Sequence, residues 1–330
     1  MCVTFVPLTY CITLNFIIMS KGNMLLGYAR GKVGSLVFSR RKGEQITRAR
    51  NTSPANPRTN AQMAQRMKMY APVQLYRQSM RKFFKFAFAP KASETIFNAY
   101  MRENISLSPW VSKQLSVAQA PIPFPARMSA GSGPSIGVVK ANFQDFPTSS
   151  TIALLDGSSS AVKLGFKLDY SGSEEPTLGE LSSVILAGNT QLQVGDQITF
   201  VTCAADGLSI ESGDVLYDDR GIFDFGYSKF VLDPASTLSP EDVGLSVDVS
   251  SDFCVLAREI AADFVTDSAA GAIIVTRTSG NSVIAGNSVL TLNDKATEVY
   301  NLMRTEAYKA KAAESYKATD DAYLNPATTA

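Results

Sequence analysis

Six cations stand close together in sequence: Lys32, Arg40, Arg41, Lys42, Arg48 and Arg50. Clustered ammonium and guanidinium groups neutralise phosphates and release counterions, so the chemistry they offer is polyanion binding, with no bond made or broken. The basic character continues through Arg58 and Arg66 to Arg81, Lys82 and Lys85, which are interleaved with Phe83, Phe84, Phe86 and Phe88. An aromatic ring beside cations can stack an exposed base, and Phe83 is the candidate for that role. The competing reading makes this run core, with Phe84, Phe86 and Phe88 alternating along a buried strand.

Charge is split along the chain. Residues 20–113 hold 18 Lys and Arg against three acidic residues, a balance of +15, whereas residues 114–330 hold 13 against 27, a balance of −14. The whole-chain value of +1 conceals this. Such segregation points to two surfaces with two partners. Nucleic acid fits the basic part; an acidic protein surface, this chain's own acidic part, or simple solubility are the alternatives.

Other chemistries find little support. The chain has no histidine, which removes histidine acid–base catalysis, Ser–His–Asp triads and histidine metal sites. Cys2, Cys11, Cys203 and Cys254 lack CxxC spacing, so no zinc site is expected. Cys203 and Cys254 lie in apolar, strand-like runs, as buried thiols or as a disulfide. The glycines of GYARGKVGS match neither phosphate-loop pattern, because Val33 follows Gly31-Lys32 where a hydroxyl would bind magnesium. Asp214, Asp218, Asp219 and Asp224 could attract Ca²⁺ but do not fit the EF-hand loop; they read as a surface loop between strands. No catalytic residue, metal, cofactor or small-molecule substrate is therefore expected.

The elements that position the cations follow from pattern. Residues 1–18 are apolar, too short to span a bilayer and lack the basic start of a signal peptide. With Met19 directly after them they read as a misassigned start, against a membrane-anchoring or exported segment or a packed strand. Stable membrane insertion is not expected. Residues 27–34 read as a glycine-rich basic loop. SLVFSR and EQITRAR around Arg41-Lys42-Gly43 predict a hairpin with Leu36 and Phe38 on one face. After a linker at 51–60, Thr59 and Gln62 make a capping-box pattern for a helix over about 61–80, kinked at Pro72. A second helix runs from Ser93, as N-cap, to about Ile105, with Ile96, Phe97, Tyr100, Met101 and Asn104 on one stripe. Pro109, Pro121, Pro123 and Pro125 mark a connector, bounded at 114–134.

Beyond it the period changes to two. Strands are expected over 135–142, 151–155, 162–169, 197–204, 223–232, 244–250, 253–259, 272–277 and 288–292. A charged helix over 294–317 follows, its Tyr300, Tyr308 and Tyr316 docking on the sandwich or on a neighbouring subunit, then a loose tail. The fold class is α+β: an apolar leader (1–19), a small N-terminal β-hairpin plus two helices (20–113), the connector, a mainly antiparallel β-sandwich, Ig-like, over 135–292, and a C-terminal helix with its tail (293–330).

Gly31-Lys32-Val33-Gly34, Lys42-Gly43, Arg48, Asn56-Pro57-Arg58-Thr59, Ala64-Gln65-Arg66 and Phe97-Asn98-Ala99 carry a resemblance. The stretch 20–130 resembles a domain of unknown function common in Bacteroidetes genomes and in the small single-stranded DNA phages (microviruses) of gut bacteria. The closing NLMRTEAYKAKAAESYKA is similar to the tails of microvirus members. The apolar residues 1–18 depart from that pattern. For the microvirus members the resemblance implies a phage protein, virion-associated and sometimes labelled DNA-binding, and it carries no catalytic residues. The expectation is a non-enzymatic phage structural or accessory protein, in the virion or the bacterial host cytoplasm. It would bind nucleic acid, single-stranded DNA first, through Lys32, Arg40, Arg41, Lys42, Arg48, Arg50, Arg58, Arg66, Arg81, Lys82, Phe83 and Lys85. The alternative is a protein-interaction or host-attachment module: the sandwich recognises a host surface or a capsid or other virion protein, and the basic part is an assembly surface. Contact between the basic and acidic parts of different copies would make homo-oligomers.

Overall fold

The computed structural model describes residues 20–21, 30–41, 44–52, 59–81, 86–117, 122–142, 151–156, 162–205, 207–217, 223–250, 253–260 and 268–324. The apolar leader and the end of the tail lie outside the described residues. The chain divides into two compact units, Met1–Arg58 and Thr59–Ala330.

The first unit holds a four-stranded antiparallel sheet in the order β1 (Ser20–Lys21), β2 (Arg30–Val33), β3 (Leu36–Arg41), β4 (Glu44–Ala49). The expected hairpin is β3–β4, with Leu36 opposite Ala49 and Arg41 opposite Glu44. The expected loop at 27–34 is corrected in its described part: Arg30–Val33 is a strand, and Gly34 and Ser35 make the turn, since Val33 pairs with Leu36. A two-residue hairpin turn demands positive φ, which Gly34 supplies at 54°. Among the described residues of this sheet none is fully buried, and Leu36 is 41% exposed.

The second unit begins with helix α1 (Asn60–Leu75), N-capped by Thr59 through the Gln62 N–H. Pro72 stays inside it, buried. Proline cannot donate to the carbonyl four residues back, here that of Lys68. The hydroxyl of Ser108 donates to that oxygen instead, at 2.7 Å, and the Val111 N–H donates to the carbonyl of Met67 at 3.3 Å. The carbonyl exposed by the proline thus anchors the chain that returns over the helix. One turn of π-helix, Tyr76–Met80, follows. Helix α2 (Ile96–Asn104) is capped by Thr95 rather than Ser93; Ser93 sits at φ 62° in the preceding turn, where a short polar residue is tolerated.

The connector is built into the core. Trp110, Val111, Leu115 from the short helix α3 (Lys113–Val117), Ile122, Phe124, Ala126 and Met128 are all buried. Asn104 fixes this segment by donating to the carbonyl of Arg127 at 3.0 Å and accepting its N–H at 2.7 Å. The connector ends in β5 (Arg127–Ser129), which pairs antiparallel with β17 (Ser288–Val289).

Two five-stranded sheets follow. One has the order β12 (Phe223–Val231), β9 (Gln197–Ala205), β15 (Ser268–Ser279), β16 (Ser282–Ala285), with β18 (Thr291–Leu292) beside β15. The other runs β13 (Ser246–Val249), β14 (Cys254–Ile260), β8 (Val162–Leu168), β7 (Thr151–Asp156), β6 (Val138–Asn142). Pairing within both is antiparallel except β6 with β7. The sheets pack as a sandwich whose core joins Leu164, Phe166 and Leu256 to Ile198, Phe200 and Ile273. Phe166 meets Phe200 edge-to-face at 5.8 Å. Burying such side chains contributes roughly 1.5–3 kcal/mol each, and Phe200→Ala, which also leaves a cavity, would cost about 3–5 kcal/mol.

The sheet β12–β9–β15–β16 is covered on both faces along most of its length. Its second face (Val201, Cys203, Ala270, Ala272, Ile274) forms another core with α1, α2, the connector and the C-terminal helices. Cys203 therefore faces one core and Cys254 the other; both are buried and neither is in a disulfide. Burial pushes the Cys254 thiol up to about 11.

Three features depart from the expected pattern. Leu178–Gly188 is helix α4, closed by a capping box between Thr177 and Glu180. Leu208–Glu211 (β10) and Asp214–Tyr217 (β11) form a hairpin, so Asp214 lies on a strand rather than in a loop; Asp218 and Asp219 are outside the described residues. The single C-terminal helix is two, α5 (Asp294–Leu302) and α6 (Glu306–Leu324), the latter running past the expected end. Tyr308 and Tyr316 of α6 pack inside this unit, and Tyr300 donates to the carbonyl of Leu107 at 2.9 Å. Among the described residues no helix is long and apolar enough to cross a membrane.

Candidate nucleic-acid interface

Directly opposed residues on neighbouring strands share a face of the sheet. Lys32 pairs with Val37, and Val37 pairs with Arg48. Lys32, Val37 and Arg48 thus form one row across three strands, the two cations two strand spacings apart, about 10 Å. Arg30, two residues before Lys32, and Arg50, two after Arg48, continue the same face by alternation. All four cations are exposed. The opposite face carries the row Gly31, Phe38, Thr47 and the row Val33, Leu36, Ala49.

This face has little to neutralise it. Glu44 is the only acidic residue in the first 58. Among the described residues no carboxylate reaches Arg30, Lys32, Arg48 or Arg50. Arg30 is not among the expected site residues, although its i, i+2 spacing from Lys32 is the signal that finds it once 30–33 is read as a strand. Arg40 and Arg41 stand on β3 opposite Gln45 and Glu44. Lys42 and Arg58 lie outside the described residues.

The remaining expected residues belong to the second unit. Arg66, on α1, and Arg81, after the π turn, are exposed. Lys82, Phe83 and Lys85 lie outside the described residues. Of the neighbouring aromatics, Phe88 is buried, packing edge-to-face on Tyr100 at 5.4 Å, while Phe86 is 64% exposed. The cations further along are engaged within this unit. Arg102 pairs with Glu94 and, at 3.3 Å, with Glu103, and Arg127 reaches Glu103 at 3.4 Å. The Lys91 N–H and then Arg102 hold the Glu94 carboxyl below its ordinary value. Lys68, Lys309 and Arg304 lie over the ring of Trp110 at 5.4, 4.9 and 5.8 Å. The expected basic segment therefore divides: the sheet presents Arg30, Lys32, Arg48 and Arg50 on one face, and several helix-borne cations serve the packing of the second unit.

Among the described residues no group of three or more Cys, Asp or Glu could hold a metal ion. Asp214 approaches the Lys311 ammonium at 3.5 Å.

Residues 28–109 match the model of a family of unknown function, DUF6266. That match covers every expected site residue from Lys32 to Lys85. No curated protein and no solved structure matches the chain.

Proposed function

We propose that the protein binds single-stranded nucleic acid without sequence preference through the cationic face of its first unit. The observation that carries this reading is the common face of Arg30, Lys32, Arg48 and Arg50, exposed and, among the described residues, without carboxylate partners. Cations displayed on a β-ribbon contact phosphates, which position a strand without reading its bases. The reading is non-enzymatic: the chain has no histidine, and the cations offer binding alone. The resemblance to microvirus proteins makes the setting that of a phage structural or accessory protein, in the virion or the host cytoplasm. Single-stranded DNA is the polyanion that setting supplies, and a capsid or other virion protein is the partner for the acidic second unit.

The test is a salt titration of binding to a fluorescent oligothymidylate. Each phosphate neutralised contributes about −0.7 to the slope of log K against log salt, so four contacts give about −3. A slope near zero, or no binding at low salt, overturns the reading.

A further inference from the structure

The central sheet changes its lining where its helical cover stops. On β9 one face runs Gln197, Thr199, Val201, Cys203, Ala205; the last three are buried in the helix-side core, Thr199 is buried beneath the floor of an open groove, and Gln197 is half-buried in its lining. β15 makes the same exchange, from Ala270, Ala272 and Ile274 to Thr276. Cross-strand register gives the shared face: Thr199 lies between Lys229 and Ile274, and Gln197 between Val231 and Thr276. The groove has a volume of about 490 Å³, and the rings of Tyr227 and Phe86 also line it, 38% and 64% exposed.

Three features of the lining select a ligand. Hydroxyl and amide groups line its floor, with Gln197 Nε2 donating to Thr199 Oγ1 at 3.4 Å; a purely apolar ligand would strip them of water without replacing it. Exposed rings offer flat apolar faces beside those polar groups. Among the described residues Lys229 is the only charged one in the lining, and it has no carboxylate partner there. One ammonium suits a ligand with a single anionic group per contact; a phosphodiester strand is served better by a row of cations such as that of the first unit. We propose that this groove binds an acidic oligosaccharide. Its pyranose rings lie against Phe86 and Tyr227, its hydroxyls meet Thr276 and Gln197, and one carboxylate meets Lys229.

The groove shares no residue with the cationic sheet, and its test is independent of nucleic-acid binding. The intact protein is titrated calorimetrically with trigalacturonic acid, a hyaluronan tetrasaccharide and sialyllactose, and with methyl-esterified trigalacturonate as the uncharged comparator. Saturable binding of at least one acidic probe is expected. Lys229→Met should weaken that probe about tenfold or more, and Phe86→Ala and Thr276→Val should weaken it as well. Where trigalacturonic acid is bound, Lys229→Met should weaken the acid more than its ester. Lys229 and Phe86 are exposed, so their variants are expected to melt like the parent. Three results would overturn the proposal: no saturation by any acidic probe, binding indifferent to Lys229→Met and Phe86→Ala, or binding lost in Lys32→Gln and displaced by oligothymidylate.

Discussion

Ser108 donates its hydroxyl to the carbonyl of Lys68, the one that Pro72 leaves without a helical donor. A helix-breaking residue and a serine 36 positions later in the chain therefore act as one feature. The proline exposes an acceptor in the middle of α1, and the returning segment uses it to seat Pro109, Trp110 and Val111.

This pairing makes a double-mutant cycle informative. Ser108→Ala should cost about 1–2 kcal/mol in urea unfolding, because a buried carbonyl loses its donor. In a Pro72→Ala background the backbone N–H restored at that position can take the carbonyl, and the cost of Ser108→Ala should fall below about 0.5 kcal/mol. Strict additivity of the two substitutions would contradict the coupling.

On the first unit, the row Lys32–Val37–Arg48 sets the expectation for binding. Neutralising both cations, Lys32→Gln with Arg48→Gln, should lower the salt slope of oligothymidylate binding by about 1.4 in magnitude and weaken all sequences alike. Lys309→Gln, a cation engaged with Glu306 and Trp110 in the second unit, should leave the slope where it is. A preference between base compositions that changes with Lys32 would show base readout instead.

Buried tyrosines give the second unit an alkaline limit. Burial pushes Tyr70 and Tyr308 up to about 12 and raises Tyr100 further. In the unfolded chain these phenols ionise near the ordinary value of about 10. Between about pH 10 and 12 the unfolded state thus holds fewer protons than the folded one, and stability falls as pH rises. Full stability is retained below about pH 10. Urea midpoints followed by the fluorescence of Trp110, the only tryptophan, should decline over that window and shift to higher pH in Tyr308→Phe.

Two ion pairs should separate by burial. Asp196 is 1% exposed and accepts both Arg277 Nε and Nη2 at 2.7 Å, together with the Gln193 N–H at 2.8 Å. Asp196→Ala removes two charge-assisted bonds from Arg277, itself 29% exposed, and the acceptor of the Gln193 N–H, at a cost of about 2 kcal/mol. Lys163 pairs with Asp248 and Glu259, both half exposed, and Lys163→Met should cost under about 1 kcal/mol. Equal effects in thermal unfolding would refute the distinction.

Much of the architecture is legible in the chain. The β3–β4 hairpin, the helices from Thr59 and toward Asn104, and the strands β8, β9, β12 and β14 follow from apolar period and turn residues. Helix α4 escapes such a reading although Thr177 and Glu180 spell its cap, because LSSVILAG is apolar on most sides and has no clear period. β10 and β11 escape it because their polar sequence, SIESGDV, reads as loop; Leu208 and Val215 are buried, and Ile210 and Tyr217 pack beside them on the same face. The proline-rich segment 114–134 reads as a spacer, since proline spacing says nothing about whether Ile122 and Phe124 find a core.

The order of residues alone determined the local periods, the caps and the crowding of cations before residue 59 against the acids after it. These are properties of neighbours within a few bonds. Only the folded chain decided which cations share a face and which are spent on Trp110, Glu94 and Glu103. That depends on strand register and on packing between segments some 200 residues apart, distances over which no local pattern carries information.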